Sequence, residues 1–236
     1  MRLKGTFVPL MLRTILLATV SIAGATEPPR QEISPKSFVT AIDNPFFPLS
    51  PGTTFLYEGT DEGVPTSTKT LVTRETKQIL GVNCTVVHDQ AFENGILVED
   101  TYDWYAQDAD GNVWYFGEDT KELDPKGNVI STAGSWQAGV NDARPGIIML
   151  GDPRKSERYY QEFARGEAED VAQVLSLDES TCTSYGCFSG LLLTKETSRL
   201  DPGIAEHKYY ARGIGFVLGV MVKGGQERTE LVRIRG

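Results

Sequence analysis

The stretch ILVEDTYDWYAQDADGNVWYFGED, residues 96–119, decides the fold class. Two runs with the two-residue period of a β-strand flank Asp108-Ala109-Asp110-Gly111-Asn112, which offers Gly and Asn where a tight turn needs positive φ. On the first run Leu97, Glu99, Thr101, Asp103 and Tyr105 share one face, and Val98, Asp100, Tyr102, Trp104 and Ala106 share the other. Neither face is purely apolar. Carboxylates interleaved with Tyr and Trp suit a half-wet concave surface such as the mouth of a barrel. They equally suit an edge hairpin whose aromatics cover the core rim while its charges deter edge pairing.

Working outward, the same period runs from Thr53 to the end. It predicts strands at 53–59, 67–79, 82–92, 96–107, 112–119 and 128–133, then at 158–164, 172–181, 189–198, 205–211, 214–222 and 227–234. Gly- and Asn-bearing turns fall at 80–83, 93–95, 212–215 and 223–226. Consecutive hairpins build a meander, and the last three strands should lie in the sheet in sequence order. Residues 134–157 carry Gly134, Gly139, Gly146, Gly151, Pro145 and Pro153 and are expected to form the longest irregular connection. Residues 167–173 are the one helix candidate, with a loop as the alternative. The fold class is therefore all-β and mainly antiparallel, a meander forming a half-barrel or a lipocalin-like barrel. A single domain spans 53–236, preceded by a Pro-rich arm at 26–52 that Phe38, Phe46, Phe47 and Leu49 would dock.

Residues 1–25 read as a secretory signal. Arg2, Lys4 and Arg13 supply the basic start, 14–23 the apolar stretch, and Ala23-Gly24-Ala25 the small-residue cleavage site after Ala25. The apolar run is too short for a permanent anchor, so no stable membrane span is expected once it is removed, and the chain should be secreted or periplasmic. With 23 Lys and Arg against 32 Asp and Glu, net charge is −9. That acidic balance argues against a nucleic-acid partner. In an oxidising compartment Cys182 and Cys187, flanking the turn-like 183–186, are the expected disulfide, and Cys84 a small buried hydrophobe.

Residues with chemical potential are few. Asp108, Asp110, Asn112 and Asp119 resemble the oxygen ligands of a calcium loop, but the Gly falls fourth rather than sixth, and Asp119 replaces the twelfth-position Glu. A plain hairpin turn fits better, and no metal or cofactor is expected. Glu167, Glu169 and Asp170 form an acidic cluster whose ordinary reading is a solvated loop. His88 and His207 are the only histidines. A three-histidine metal site within one chain is thereby excluded. No Gly-x-Ser-x-Gly elbow or dinucleotide glycine loop occurs. His207, with Glu167 and Asp170, is the remaining catalytic candidate set, against a plain structural histidine.

Asn44-Pro45-Phe46-Phe47-Pro48-Leu49, Pro51-Gly52-Thr53-Thr54-Phe55 and Tyr57-Glu58-Gly59 resemble the opening of a group of uncharacterised exported bacterial β-rich proteins. TYDWYAQD at 101–108 with WYFGEDTK at 114–121 resembles their middle, and YYARGIGFV at 209–217 their closing turn, departing at Arg212 where the group carries Pro. The resemblance covers most of the chain beyond the signal. It implies a half-barrel or lipocalin-like shape and, by analogy of fold, a ligand-holding or interaction role.

Three functional readings follow. The first is an exported, non-catalytic barrel holding a small apolar or amphipathic molecule against Trp104, Trp114, Tyr115 and Trp136, with Tyr102 and Asp103 beside them. The second is a hydrolase or lyase using carboxylates with His207. The third is an envelope interaction module without a pocket that binds a protein partner through an open strand edge.

Overall fold

The computed structural model describes residues 32–236; the signal and its cleavage site lie outside the described residues. Fifteen strands follow in order. They are β1 (Thr54–Asp61), β2 (Val64–Ile79), β3 (Val82–Glu93), β4 (Ile96–Gln107), β5 (Val113–Leu123), β6 (Val129–Ser131), β7 (Trp136–Gln137) and β8 (Arg144–Met149). There follow β9 (Arg158–Tyr160), β10 (Glu162–Phe163), β11 (Asp170–Cys182), β12 (Cys187–Ser198), β13 (Ala205–Ala211), β14 (Gly215–Lys223) and β15 (Arg228–Arg235). Among the described residues no helix is long and apolar enough to cross a membrane.

All pairings are antiparallel, and the sheet order is β10-β8-β5-β4-β3-β2-β1-β15-β14-β13-β12-β11-β9, with β6 and β7 also on β5. Two meanders are thus welded where the first long strand meets the last. Residues 158–163 bring the two ends of that order together. Tyr160, Tyr159 and Arg158 pair with Val171, Ala172 and Gln173 of β11, whereas Glu162 and Phe163 pair with Pro145 and Arg144 of β8. Between them the Gln161 amide donates to the Asp170 carbonyl at 2.9 Å. One extended segment therefore serves both sheet ends, and the sheet becomes a nearly closed barrel.

Two local expectations are corrected. The 134–157 connection contains β7 and β8, because Ile147-Ile148-Met149 is a short apolar strand and Gly146 is a point of close approach rather than a break. A Cβ there would strike the Gln161 carbonyl. The helix candidate at 167–173 is a turn closed by Ala168 N–H to Ala164 O (2.8 Å), running straight into β11. Val171 and Val174 are buried there. Their β-branched side chains favour the strand, and the ladder to 158–161 takes the backbone donors a helix would need.

The arm lies against the outer side of the β4–β5 hairpin. Phe38 sets its ring edge-on to Trp114 and Phe116, with centroids 6.2 and 5.6 Å apart. Asn44 fixes the arm: its Nδ2 donates to Gly111 O (2.8 Å) and Leu150 O (3.0 Å), and its Oδ1 accepts from Phe46 N–H (2.8 Å). Gln107 Oε1 accepts from the Asp43 and Asn44 amides. Asn44→Ala strips the three bonds of the Asn44 side chain from a buried site and should lower stability by about 2–4 kcal/mol. A shift of the urea midpoint at unchanged slope measures it; a shift within error would show that the apolar contacts alone hold the arm.

Candidate functional site

The inner face of the sheet is polar where a barrel core is usually apolar. On β4 the inward residues are Glu99, Thr101, Asp103 and Tyr105, all buried. On β5 the register shifts, so that Tyr105 faces Tyr115 while Asp103 faces Glu118. The extra residue is accommodated at Gly117, whose φ is 128° and whose notional Cβ would strike the Trp136 carbonyl. No side chain adopts that backbone conformation comfortably. This bulge turns both Tyr115 and Glu118 inward and leaves Asp119 exposed.

Each inward carboxyl that has a partner is met by a donor. Tyr115 donates to Asp103 at 2.6 Å, Thr101 to Glu99 at 3.0 Å, and Trp136 Nε1 to Glu162 at 3.2 Å. Across the barrel, Glu196 accepts from Thr194 (2.9 Å) and Tyr210 (3.0 Å) and pairs with Lys208 (2.8 Å), which also reaches Glu206 at 3.5 Å. Glu162 and Asp170 hydrogen-bond each other at the seam, with Ser198 also on Asp170. Burial first, and neighbouring carboxyls second, hold Glu118 and Glu162 well above the usual carboxylate range. Burial likewise raises Asp103 and Asp170, and pushes Glu99 up to about 8. Burial would by itself lower Lys208; Glu196 and Glu206 more than offset it and keep the ammonium charged. Burial before any other cause thus holds both members of the Glu162–Asp170 pair above the usual carboxylate range.

The structure distributes the sequence candidates over different places. Asp103, Tyr115 and Trp136 meet on the inner side, Trp136 packing edge-on to Tyr115 at 5.4 Å. Tyr102 lies on the outer side, stacked on His88 at 4.3 Å, and Trp104 lies under the Lys77 ammonium. Trp114 packs under the arm and donates to Asp108 at 2.8 Å. Asp108 spends its carboxylate on the turn, accepting from the Asp110 and Asn112 amides, Asn112 Nδ2 and Trp114. Asp119 sits opposite Tyr102 and pairs with Lys121. Six residues of strand separate Tyr102 from Asp108, which puts Asp119 roughly 20 Å from the turn at about 3.3 Å per residue. His207 points away from Glu206 and Lys208, its pKa lowered by burial and then by Lys195. Glu167 accepts from the Gly134 amide at 3.3 Å on the surface, while Asp170 is interior. The candidate triad is therefore not assembled. Cys182 and Cys187 are joined across the β11–β12 turn, and burial pushes the free Cys84 thiol up to about 12.

A cleft of about 610 Å³ opens beside the seam. Ile33 of the arm, Leu80, Trp114, Ile147 and Phe163 give it an apolar wall, and Arg144, Arg158 and Asp142 give it charge. The Arg144 guanidinium lies 5.2 Å from the centre of the Phe163 ring. Of the aromatic residues singled out from sequence, Trp114 alone lines this cleft. Phe163, Tyr159 and Tyr160 carry no comparable signal: the period predicts a strand at 158–164, but not that its two halves pair with different strands and border a cleft.

No protein-family model and no curated protein sequence matches the chain. Among solved structures it is similar to a Bacteroides fragilis NCTC 9343 protein described as exported and of YmcC-like fold. Identity is 14% and the TM-score 0.47, over 81% of this chain and 99% of that one. A Parabacteroides distasonis ATCC 8503 protein described as a lipoprotein is 13% identical with a TM-score of 0.45, over 80% and 98%.

The interior carboxyls set an unusual pH dependence. Glu99 titrates near 8 in the fold, and its buried neighbours are raised with it. Between the ordinary carboxylate range and that region the folded chain therefore binds more protons than the unfolded one. Stability should be greatest in mild acid and fall as pH rises through that window. The depressed Asp124 and Glu230 carboxyls oppose this but titrate lower, and His207 opposes it as one group against several. The urea midpoint should be higher at pH 5 than at pH 8, and Glu162→Gln should flatten the difference. A midpoint that rises toward pH 8 would mean these carboxyls are ionised in the fold.

Proposed function

We propose that the chain is an exported, non-catalytic binding protein whose seam cleft takes a small apolar or amphipathic molecule. The observation that carries this is the cleft itself, about 610 Å³ in volume. That size lies within the range of ligand pockets, and an apolar and aromatic wall with a few charged groups is their usual composition. The barrel interior is a poorer receptacle, because Tyr115, Leu192 and Tyr210 already fill the buried volume. The two arginines beside the apolar wall favour an anionic head group over a cationic one.

Native mass spectrometry of protein purified from its own envelope tests the proposal. A mass that accompanies the chain and leaves on denaturation is expected. Ile147 is half-buried at the cleft wall. Ile147→Trp should crowd the apolar wall and weaken retention several-fold, with stability changed by no more than about 1 kcal/mol. A chain that arrives bare, or a variant that retains the mass undiminished, would overturn the assignment.

A further inference from the structure

A second cavity, sharing no lining residue with the seam cleft, lies at the end of the barrel capped by the arm and the β13–β14 turn. Its walls are Phe47, Phe55, Tyr57, Tyr105 and Phe216, and its floor is Asp89 with Asp103. Phe47 stands 5.4 Å from Tyr105, and Tyr57 the same distance from Phe216, as ring centroids. Phe55, Tyr57 and Tyr105 are buried, whereas Phe47 and Phe216 are half-buried and form a rim that reaches solvent.

Asp89 supplies the independent observation. It is only 3% exposed, and its Oδ1 accepts from Thr70 at 3.0 Å, yet its Oδ2 has no partner. Among the described residues no Lys or Arg lines this cavity. The neighbouring strands β12 and β13 handle their carboxyls differently: Glu196 and Glu206 share Lys208, a cation that does not line this cavity. Arg212, on the turn that caps the cavity, is engaged over the Phe46 ring at 4.4 Å. A carboxyl pair enclosed by π faces and lacking a cation is the arrangement that recognises alkylated ammonium groups, whose methyls contact the rings while the charge meets the carboxylate.

We propose that this cage binds a small alkylammonium group, its N–H donated to Asp89 Oδ2 and its methyl held among Tyr57, Tyr105 and Phe216. The space, about 60 Å³, agrees with that size. It matches roughly two groups of water's share of liquid volume, the carbon and nitrogen of methylammonium. Charge balances without a further ion. Burial, then Asp103 and Glu99, raise the empty Asp89 carboxyl well above the usual carboxylate range and so favour its neutral form. On binding, the proton leaves to solvent as the cation enters, so one buried neutral state replaces another.

The test is an NMR titration of the whole chain with methylammonium chloride, with methanol as the neutral counterpart of equal heavy-atom count and sodium chloride as the ionic control. Saturable shifts of the Tyr57, Asp89 and Phe216 amides are expected with methylammonium alone, with proton release and tighter binding at higher pH. Asp89→Asn should weaken binding by at least about tenfold. Should that variant not fold, Phe216→Leu at the half-buried rim should weaken methylammonium several-fold by removing one π face. Equal responses to methanol, equal responses to sodium, no response at all, or a folded variant that binds normally would each overturn the assignment.

Discussion

A carboxyl group taken out of water must find a donor, a cation or a proton, and the inner face of this barrel imposes that requirement many times over. Asp89, Glu99, Asp103, Glu118, Glu162, Asp170, Glu196 and Glu206 are all buried, and Lys208 is the one buried cation among the described residues. Ionising them together would cost far more than a domain's net stability. The fold answers with hydroxyls from the facing strands, set by register: Thr101 bonds Thr120 at 2.6 Å while serving Glu99, and Tyr115 reaches across to Asp103. A one-residue slip of β4 on β5 would send Glu99 and Asp103 to the outer side. The polar core therefore specifies register more sharply than an apolar core of equal size, at the expense of dependence on protonation.

Closure of the barrel follows the same economy of donors. Residues 158–163 contribute three paired residues to β11 and two to β8. A seam made of so few ladder bonds is weaker than the long hairpins on either side, and the Glu162–Asp170 hydrogen bond lies within it. The protonation of the interior and the closure of the sheet are thus one problem, since losing that proton would place two like charges across the seam. The cleft sits on the outside of this seam because short strands leave the side chains of β8 and β9 without a covering neighbour.

The strand boundaries were legible because they rest on local chemistry. Asp108-Ala109-Asp110-Gly111-Asn112 and Asp124-Pro125-Lys126-Gly127-Asn128 close their turns alike, the Asp carboxylate accepting from the amides two and four residues on. The second turn has Lys126 where the first has Asp110, and both make the same turn-closing bonds. Which face points inward was not legible. Period-two reasoning sorts residues into faces, but the β4 faces are both mixed, and hydropathy would choose the Trp104 side for the core. The bulge at Gly117 then reverses the alternation partway along β5, and nothing in the sequence marks that glycine off from a turn glycine. The seam was hidden for a related reason: Gly146 and Pro145 read as breakers, whereas the glycine is required by the closeness of the Gln161 backbone.

Two neighbouring carboxyl groups of the interior resolve the same electrostatic problem differently. Glu196 and Glu206 share one ammonium from within the chain, Lys208, and the aromatic side chain beside them, Tyr210, donates to Glu196. Asp89 and Asp103 are served by neutral donors, Thr70 and Tyr115 among them, and the rings around them stand apart at centroid spacings that leave a hollow. Where the cation is built in, both carboxyls reach it; where it is missing, a hollow remains and one carboxyl oxygen is left over. Packing alone gives no reason for that pairing of features, since a Leu at position 89 would fill the hollow and remove the buried unpaired oxygen in one step.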